Sequence, residues 1–170
     1  VCNDAGFQNE GTGRLLANHQ IKTLYASHVG LNKECGQQYS AGELDLKLQP
    51  QGTLAEQVRA AGAGLGGVLT PTGLGTTVAD GKDIVTVDGK DYVLEKPLKG
   101  DVAIVQGYIA DESGNIRYKG STRNFNPLMA SAADTVIVEV EKIVPAGEIG
   151  PDYVETPHIY VDYLVLKEEA

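Results

Sequence analysis

Two neutral side-chain amides, Asn3 and Gln51, stand where short strand-like runs end, the first in VCND and the second after LDLKL. Strand ends in parallel α/β sheets open onto ligand crevices. An amide N–H placed there can steady a developing oxyanion without transferring a proton. Turn capping would use the same two residues, and the residues alone do not choose between these roles. A second candidate is the stretch from Pro50 to Thr76, which holds 7 of the chain's 21 glycines in 27 residues. Within it GAGLGG (Gly62, Gly64, Gly67) satisfies G-x-G-x-x-G. A dinucleotide fingerprint must follow a strand and open a helix, so that helix N–H groups meet the pyrophosphate. Here the order is reversed: the helical TLAEQVRAA precedes the glycines and the apolar VLT follows them. The match is read as accidental, and no Gly-Lys-Ser/Thr marks a P-loop. Two glycine-rich loops around a short strand still exceed what one helix cap needs, and they let backbone approach a ligand closely.

Other reactive side chains are less informative. His19, His28 and His158 lack metal-ligand spacing and acidic or thiol companions at useful intervals, so they read as surface or packing residues and no metal site is expected. There is no G-x-S-x-G nucleophile elbow. Glu139 and Glu141, two apart, are expected on one solvated strand face.

The elements that must position these groups follow from pattern. Helical spacing marks Thr12 to Gln20, and alternation marks strands at Ile21 to Ser27 and Leu44 to Leu48. Asn32 to Ala41 reads as a helix closed by a left-handed Gly42. Thr53 and Glu56 form a capping-box pattern expected to open a helix over Thr53 to Ala61. Asp88-Gly89 between IVTV and KDYVLE signals a type I′ hairpin. Asp101 to Ile109 reads as a buried strand turned by Glu112 to Asn115, and Asn126-Pro127 starts a helix through Ala133. Thr135 to Val144 reads as one further strand, and KEEA as a solvated end. Alternating helices and strands predict an α/β fold with a largely parallel sheet, flanking helices and an inserted β-hairpin.

The bulk numbers narrow the class. A chain of 170 residues suits one domain over 1–170 with a real core. The 14 basic against 23 acidic residues give −9, which disfavours nucleic acid and anionic membrane as partners. No apolar run is long enough to span a bilayer. Cys2 and Cys35 form no C-x-x-C and read as free thiols of a reducing, cytoplasmic compartment.

Three stretches together resemble the α subunit of family I coenzyme A transferases, of the acetate/acetoacetate, butyrate–acetoacetate and succinyl:3-oxoacid type. They are PQGTLAEQVRAAGAGLGGVLTPTGLGT, TRNFNPLMASAADTVIVEVE and DAGF with HQIKTLYASHVGLNKE. The resemblance runs through all 170 residues. That family begins with a strand, a GGF-type glycine segment and a helix ahead of the position of Val1, so a native chain with a further N-terminal segment is expected. The resemblance implies ping-pong transfer of coenzyme A from a short-chain acyl-CoA or 3-oxoacyl-CoA to a carboxylate such as acetate. It also implies a β-subunit partner, in an α2β2 or similar assembly, that carries the nucleophilic glutamate. Coenzyme A is then a substrate, and no other cofactor is expected. By the same resemblance, the Asn of the S-N-[ND]-A/T motif and the Gln of P-Q-G, matched by Asn3 and Gln51, contribute to the oxyanion site, with Cys2 in the place of the motif's Ser. Gly64, Gly66 and Gly67 become candidates for the acyl pocket. The alternative is a non-catalytic acyl-CoA-binding or regulatory module with the same fold.

Overall fold

The computed structural model describes residues 1–168, so Glu169 and Ala170 of the KEEA tail lie outside the described residues. The chain forms two compact units. The first comprises Val1–Glu56 and Leu69–Glu95, the second Gln57–Val68 and everything from Lys96 onward.

The first unit starts with α1 (Gly13–Ala17), β1 (Thr23–Ala26), α2 (Lys33–Ser40) and β2 (Asp45–Leu48). β1 and β2 pair in parallel, with Thr23 opposite Asp45 and Ala26 opposite Leu48, and α2 is the crossover between them. Helix α2 starts where the Asn32 side chain accepts the Cys35 N–H, an N-cap that satisfies one orphan donor. It ends before Gly42, whose φ of +76° is the left-handed conformation expected there. Leu16, Leu24, Ala26, Cys35 and Leu44 close over Ala5 as this unit's core. Residues 2–5 run beside β1 in the parallel sense. Cys2 N–H donates to Tyr25 O, Ser27 N–H to Asn3 O, and Ala5 N–H to His28 O.

Helix α3 (Gln51–Gly62) follows β2, and β3 (Val68–Thr70) follows α3. The expected capping box is corrected here. Leu54 N–H donates to Pro50 O, so Pro50 stands at the N-cap position and Thr53 lies buried inside the first turn. The proline's fixed φ already sets how the chain turns into the helix, and Thr53 is left to pack. Next come β4 (Ile84–Val87) and β5 (Lys90–Glu95), paired antiparallel across Asp88-Gly89. Those two residues have φ of +51° and +74°, the signature of the type I′ turn read from the sequence. Strand β5 lies between β3 and β4 in a three-stranded sheet.

The second unit contains β6 (Gly100–Gln106), β7 (Ile109–Asp111), β8 (Ile116–Arg117), α4 (Asn126–Ser131), β9 (Ala133–Val140), β10 (Lys142–Val144) and β11 (Tyr163–Leu166). Strand β9 is central, parallel to both β6 and β11. Strand β7 joins β10 in parallel and β8 antiparallel. Ala103, Val105, Val136, Val138 and Val140 form the core with Tyr118 and Ala130. Together the sheets make a mostly parallel α/β fold with flanking helices and the inserted hairpin, as expected.

Three finer expectations change. The run from Asp101 to Ile109 is two strands, and only one face of β6 is covered: Ala103 and Val105 point inward while Ile104 is 79% exposed. Glu112 to Asn115 therefore turns β7 into β8. The run Thr135 to Val144 also divides at Glu141, because β9 and β10 belong to different sheets. Glu139 and Glu141 thus do not share a strand.

Candidate functional site

The parallel pairing of β1 and β2 brings their carboxyl ends level, since Ala26 and Leu48 are partners. Immediately past those ends the chain supplies Ser27 from β1 and Gln51 as the first residue of α3. Asn3 comes from the segment alongside β1. The two residues singled out from the sequence meet directly: Gln51 Nε2 donates to Asn3 Oδ1 at 2.8 Å. The Ser27 hydroxyl lies 2.8 Å from the same Oδ1 and 2.7 Å from Asn3 O. Asn3 is half-buried and Gln51 exposed, so the pair sits at the surface of the first unit. Gln51 also lies in the first turn of a twelve-residue helix, where backbone N–H groups have no partner within the helix and carry partial positive charge.

Neighbouring groups fix this corner. Asp4 Oδ1 accepts the Gly6 N–H at 2.7 Å, and its Oδ2 lies 2.6 Å from His28 Nδ1. His28 therefore does have an acidic companion, 24 residues away in sequence and invisible to local spacing. His19 likewise faces Glu43 at 3.4 Å, with both side chains exposed. Burial pushes the Cys2 thiol pKa up, and the nearby Asp4 carboxylate adds to this. Cys2 thus remains a neutral S–H beside Asn3, poorly suited to act as a nucleophile.

The three candidate glycines belong to the second unit. Gly64 has φ of +67° and closes α3: its N–H donates to Ala61 O, and Leu65 N–H donates to Ala60 O. That pair of bonds is a Schellman cap, a structural task sufficient to account for glycine at this position. Gly66 is different. It has no left-handed φ, and an added Cβ would meet nothing within 4 Å. Gly67 has φ of +154°. The following glycine-rich segment lines a shallow cleft of about 590 Å³ in the first unit, with Leu74, Gly75 and Thr76 against Ile84 and Asp91. Order along the chain is helix, glycines, strand, the reverse of a dinucleotide fingerprint.

Sequence reasoning missed Ser27. It is the residue after an alternating apolar run, and nothing in its local spacing announces a contact 24 residues upstream. Among the described residues no group of three or more His, Cys, Asp or Glu side chains could hold a metal ion. No helix among them is long and apolar enough to cross a membrane.

Comparison with known proteins bears on the family and the fold. The family described as Coenzyme A transferase matches residues 1–167. The alpha subunit of the acetate CoA-transferase of Escherichia coli K12 is 46% identical over 170 residues, all of this chain and 77% of that protein. The acetoacetyl-CoA:acetate/butyrate CoA transferase alpha subunit of Clostridium acetobutylicum is 48% identical over 170 residues, 78% of its length. One subunit of the succinyl-CoA:3-ketoacid coenzyme A transferase of Xanthomonas campestris is 52% identical over 166 residues, 98% of this chain and 69% of the relative. Among solved structures, an acyl-CoA transferase of Escherichia coli O157:H7 superposes with a TM-score of 0.83 at 21% identity. It covers 94% of this chain, which spans 35% of that longer one. The glutaconate coenzyme A-transferase of Acidaminococcus fermentans gives 0.81 at 21% identity, over 89% of this chain and 57% of its own. At that identity the structures speak for the fold, while the family match and the sequence relatives carry the assignment: the chain belongs to the coenzyme A transferase family.

Proposed function

We propose that this chain is the α subunit of an enzyme that moves coenzyme A between a short-chain or 3-oxo acyl-CoA and a carboxylate such as acetate. The observation that carries the catalytic part is the Asn3–Gln51 contact past the carboxyl ends of β1 and β2. With Asn3 Oδ1 as the acceptor, Asn3 Nδ2 and the second N–H of Gln51 Nε2 remain as donors. Donors of this kind stabilise the oxyanion of a tetrahedral intermediate.

In the reaction so read, a glutamate supplied by the β partner attacks the thioester carbonyl. The C–S bond breaks, coenzyme A leaves as thiolate, and an acyl-glutamyl anhydride remains. The thiolate then attacks the glutamyl carbonyl, releasing the first carboxylate and leaving glutamyl-CoA. An acceptor carboxylate reverses these steps and departs as the new acyl-CoA. Each carbonyl addition places negative charge on oxygen, and Asn3 and Gln51 are assigned to meet it. A carboxylate is a weak nucleophile, so stabilisation of the addition step matters more here than activation of the attacking group. No cofactor beyond coenzyme A as substrate enters this scheme. Gly66 is kept as the glycine of its loop assigned to acyl binding. Gly64 and Gly67 are assigned to shaping the loop. Cys2 and Cys35, both unpaired, support a cytoplasmic location. The net charge of −9 favours neither nucleic acid nor an anionic membrane as a partner.

Native mass spectrometry of the chain isolated with whatever accompanies it tests this. A stoichiometric partner that gains a glutamyl-CoA adduct on addition of acyl-CoA is the expected outcome. Full turnover by the isolated α chain, or an adduct on this chain, would refute the assignment.

A further inference from the structure

The second unit holds a cavity of about 480 Å³ whose floor follows from strand register. Lys142 is the partner of Ile109 on one side and Arg117 its partner on the other, so the three stand in one row across β10, β7 and β8. Residues opposite one another share a face of the sheet, which sets both cations beside the same floor, their backbones about 10 Å apart. Val144, two residues beyond Lys142, shares that face and is buried. Ile149, also buried, completes the apolar part of the lining. The wall is the segment 145–153, and hydrogen bonds hold it in place without a ligand. Gly147 N–H donates to Asp111 Oδ2, Glu148 N–H to Pro145 O, and Tyr153 N–H to Gly150 O.

Two cations converging on one apolar floor stand out in a chain of net charge −9. Among the described residues neither Arg117 nor Lys142 is in an ion pair. The neighbouring carboxylates are engaged elsewhere. Asp111, two residues beyond Ile109, is 1% exposed and accepts N–H groups from Ser113, Asn115 and Gly147. Glu155 senses the Arg117 charge, but it accepts the Tyr118 N–H at 2.7 Å and pairs with Arg123 at 2.6 Å. Glu148 is the acid of the lining, so two cations and one carboxylate leave the cavity with one net positive charge. Arg117 is also steadied, its guanidinium lying 5.2 Å from the centre of the Tyr153 ring. Stacking of this kind fixes the plane of the group and leaves its N–H edge for an acceptor.

We propose that this cavity is a binding site for a small carboxylate with a short apolar body. The Arg117 fork matches the two oxygens of a carboxylate, and Lys142 adds a second charge from the far side of Ile109. Ile109, Val144 and Ile149 meet the apolar part. One net positive charge suits a monoanion better than a phosphate dianion. The volume lies toward the lower end of ligand pockets, about 300–1,000 Å³, which suits a ligand of a few carbons. The lining shares no residue with the corner of Asn3, Ser27 and Gln51.

The test uses the complex of this chain with its β partner, with butyrate as the probe. Phenylglyoxal labels exposed arginines, and peptide mapping by mass spectrometry reads Arg117 separately from Arg14, an exposed arginine of the first unit. At ten times its Kd, butyrate leaves about one site in eleven empty, so labelling of Arg117 should slow about tenfold while that of Arg14 holds. Acetate, which lacks the apolar tail, should need a higher concentration for the same protection. Lys142→Gln should raise the half-protecting concentration of butyrate about threefold, the scale of one exposed charge pair. Unaltered labelling of Arg117 in butyrate overturns the proposal, as does protection that ignores Lys142→Gln. Equal protection by inorganic phosphate, or by sodium chloride at the same ionic strength, would be charge screening alone and overturns it too. Protection by coenzyme A at a lower concentration than butyrate would give the cavity to coenzyme A, and an Arg117 that never reacts in the complex would put the partner chain over it. Either result refutes a carboxylate site here.

Discussion

Replacing Asn3 by Asp changes one atom group, NH2 to O, at the centre of the site. The side chain keeps its shape, and the oxygen that accepts from Gln51 Nε2 at 2.8 Å and from Ser27 Oγ at 2.8 Å is retained. Both bonds become charge-assisted, so the folded state should hold its stability to within about 1 kcal/mol. Two losses fall on catalysis. The Nδ2 donor disappears, and removal of one oxyanion donor costs about 10²–10³ in kcat. A negative charge also now faces the developing oxyanion. At about 4 Å and an effective dielectric of about 20 that repulsion is about 4 kcal/mol before screening. Asn3 is only half-buried, and solvent takes back much of this. A fall in kcat of about a thousandfold is expected, deeper than for Asn3→Ala, which loses the donor without adding charge. Steady-state transfer to acetate by the assembled enzyme reads kcat, and native mass spectrometry confirms that partner binding is intact. A kcat within threefold of wild type, in a correctly assembled Asn3→Asp enzyme, would refute the role given to this amide.

Two glycines of one loop are expected to respond in opposite ways. Gly64→Ala forces a side chain into φ of +67°, so it should cost about 1 kcal/mol in the melting curve through the α3 cap. Gly66→Val meets empty space, so stability should hold while KM for acyl-CoA rises; an unchanged KM removes Gly66 from the acyl site. Acid should act through Asp111. Burial raises its pKa, but the bonds it accepts from the Asn115 side chain and from the Asn115, Gly147 and Ser113 N–H groups outweigh this, and the net direction is down. A depressed folded value means this stabilisation is fully present above the ordinary carboxylate value of about 4. It is lost as pH falls through the folded value. Asp111→Asn should therefore destabilise the protein at neutral pH and flatten its acid limb, as read by denaturation between pH 7 and pH 2. An acid limb as steep as wild type would locate the titrating carboxylates elsewhere.

The parts legible in the sequence are those whose cause is local. Asp88-Gly89 demands two positive φ values and obtained them, and Gly42 and Asn32 bound α2 as side-chain chemistry predicts. Pattern also placed Gln51 past the end of β2, and the structure puts it in contact with Asn3, which lies beside β1 and not at the end of a strand of its own. What pattern missed depends on partners far along the chain. Thr53 reads as a cap until Pro50 is seen to occupy that position. The apolar run at β6 reads as buried on both faces, yet Ile104 lies 79% exposed because only the other face meets the core. Ser27 and the Asp4–His28 pair have no local signal, since both contacts bridge 24 residues.

The parallel register of β1 and β2 has a consequence for the order in which the molecule matures. Asn3, Ser27 and Gln51 come from three stretches separated by 24 residues each, and their contact exists only once both strands have closed across α2. Closing such loops carries an entropy cost before any contact rewards it, so parallel pairing trails the local hairpin and helices. During refolding, circular dichroism should recover early, while competence for transfer returns later. The interval between the two signals times the docking of one strand beside another.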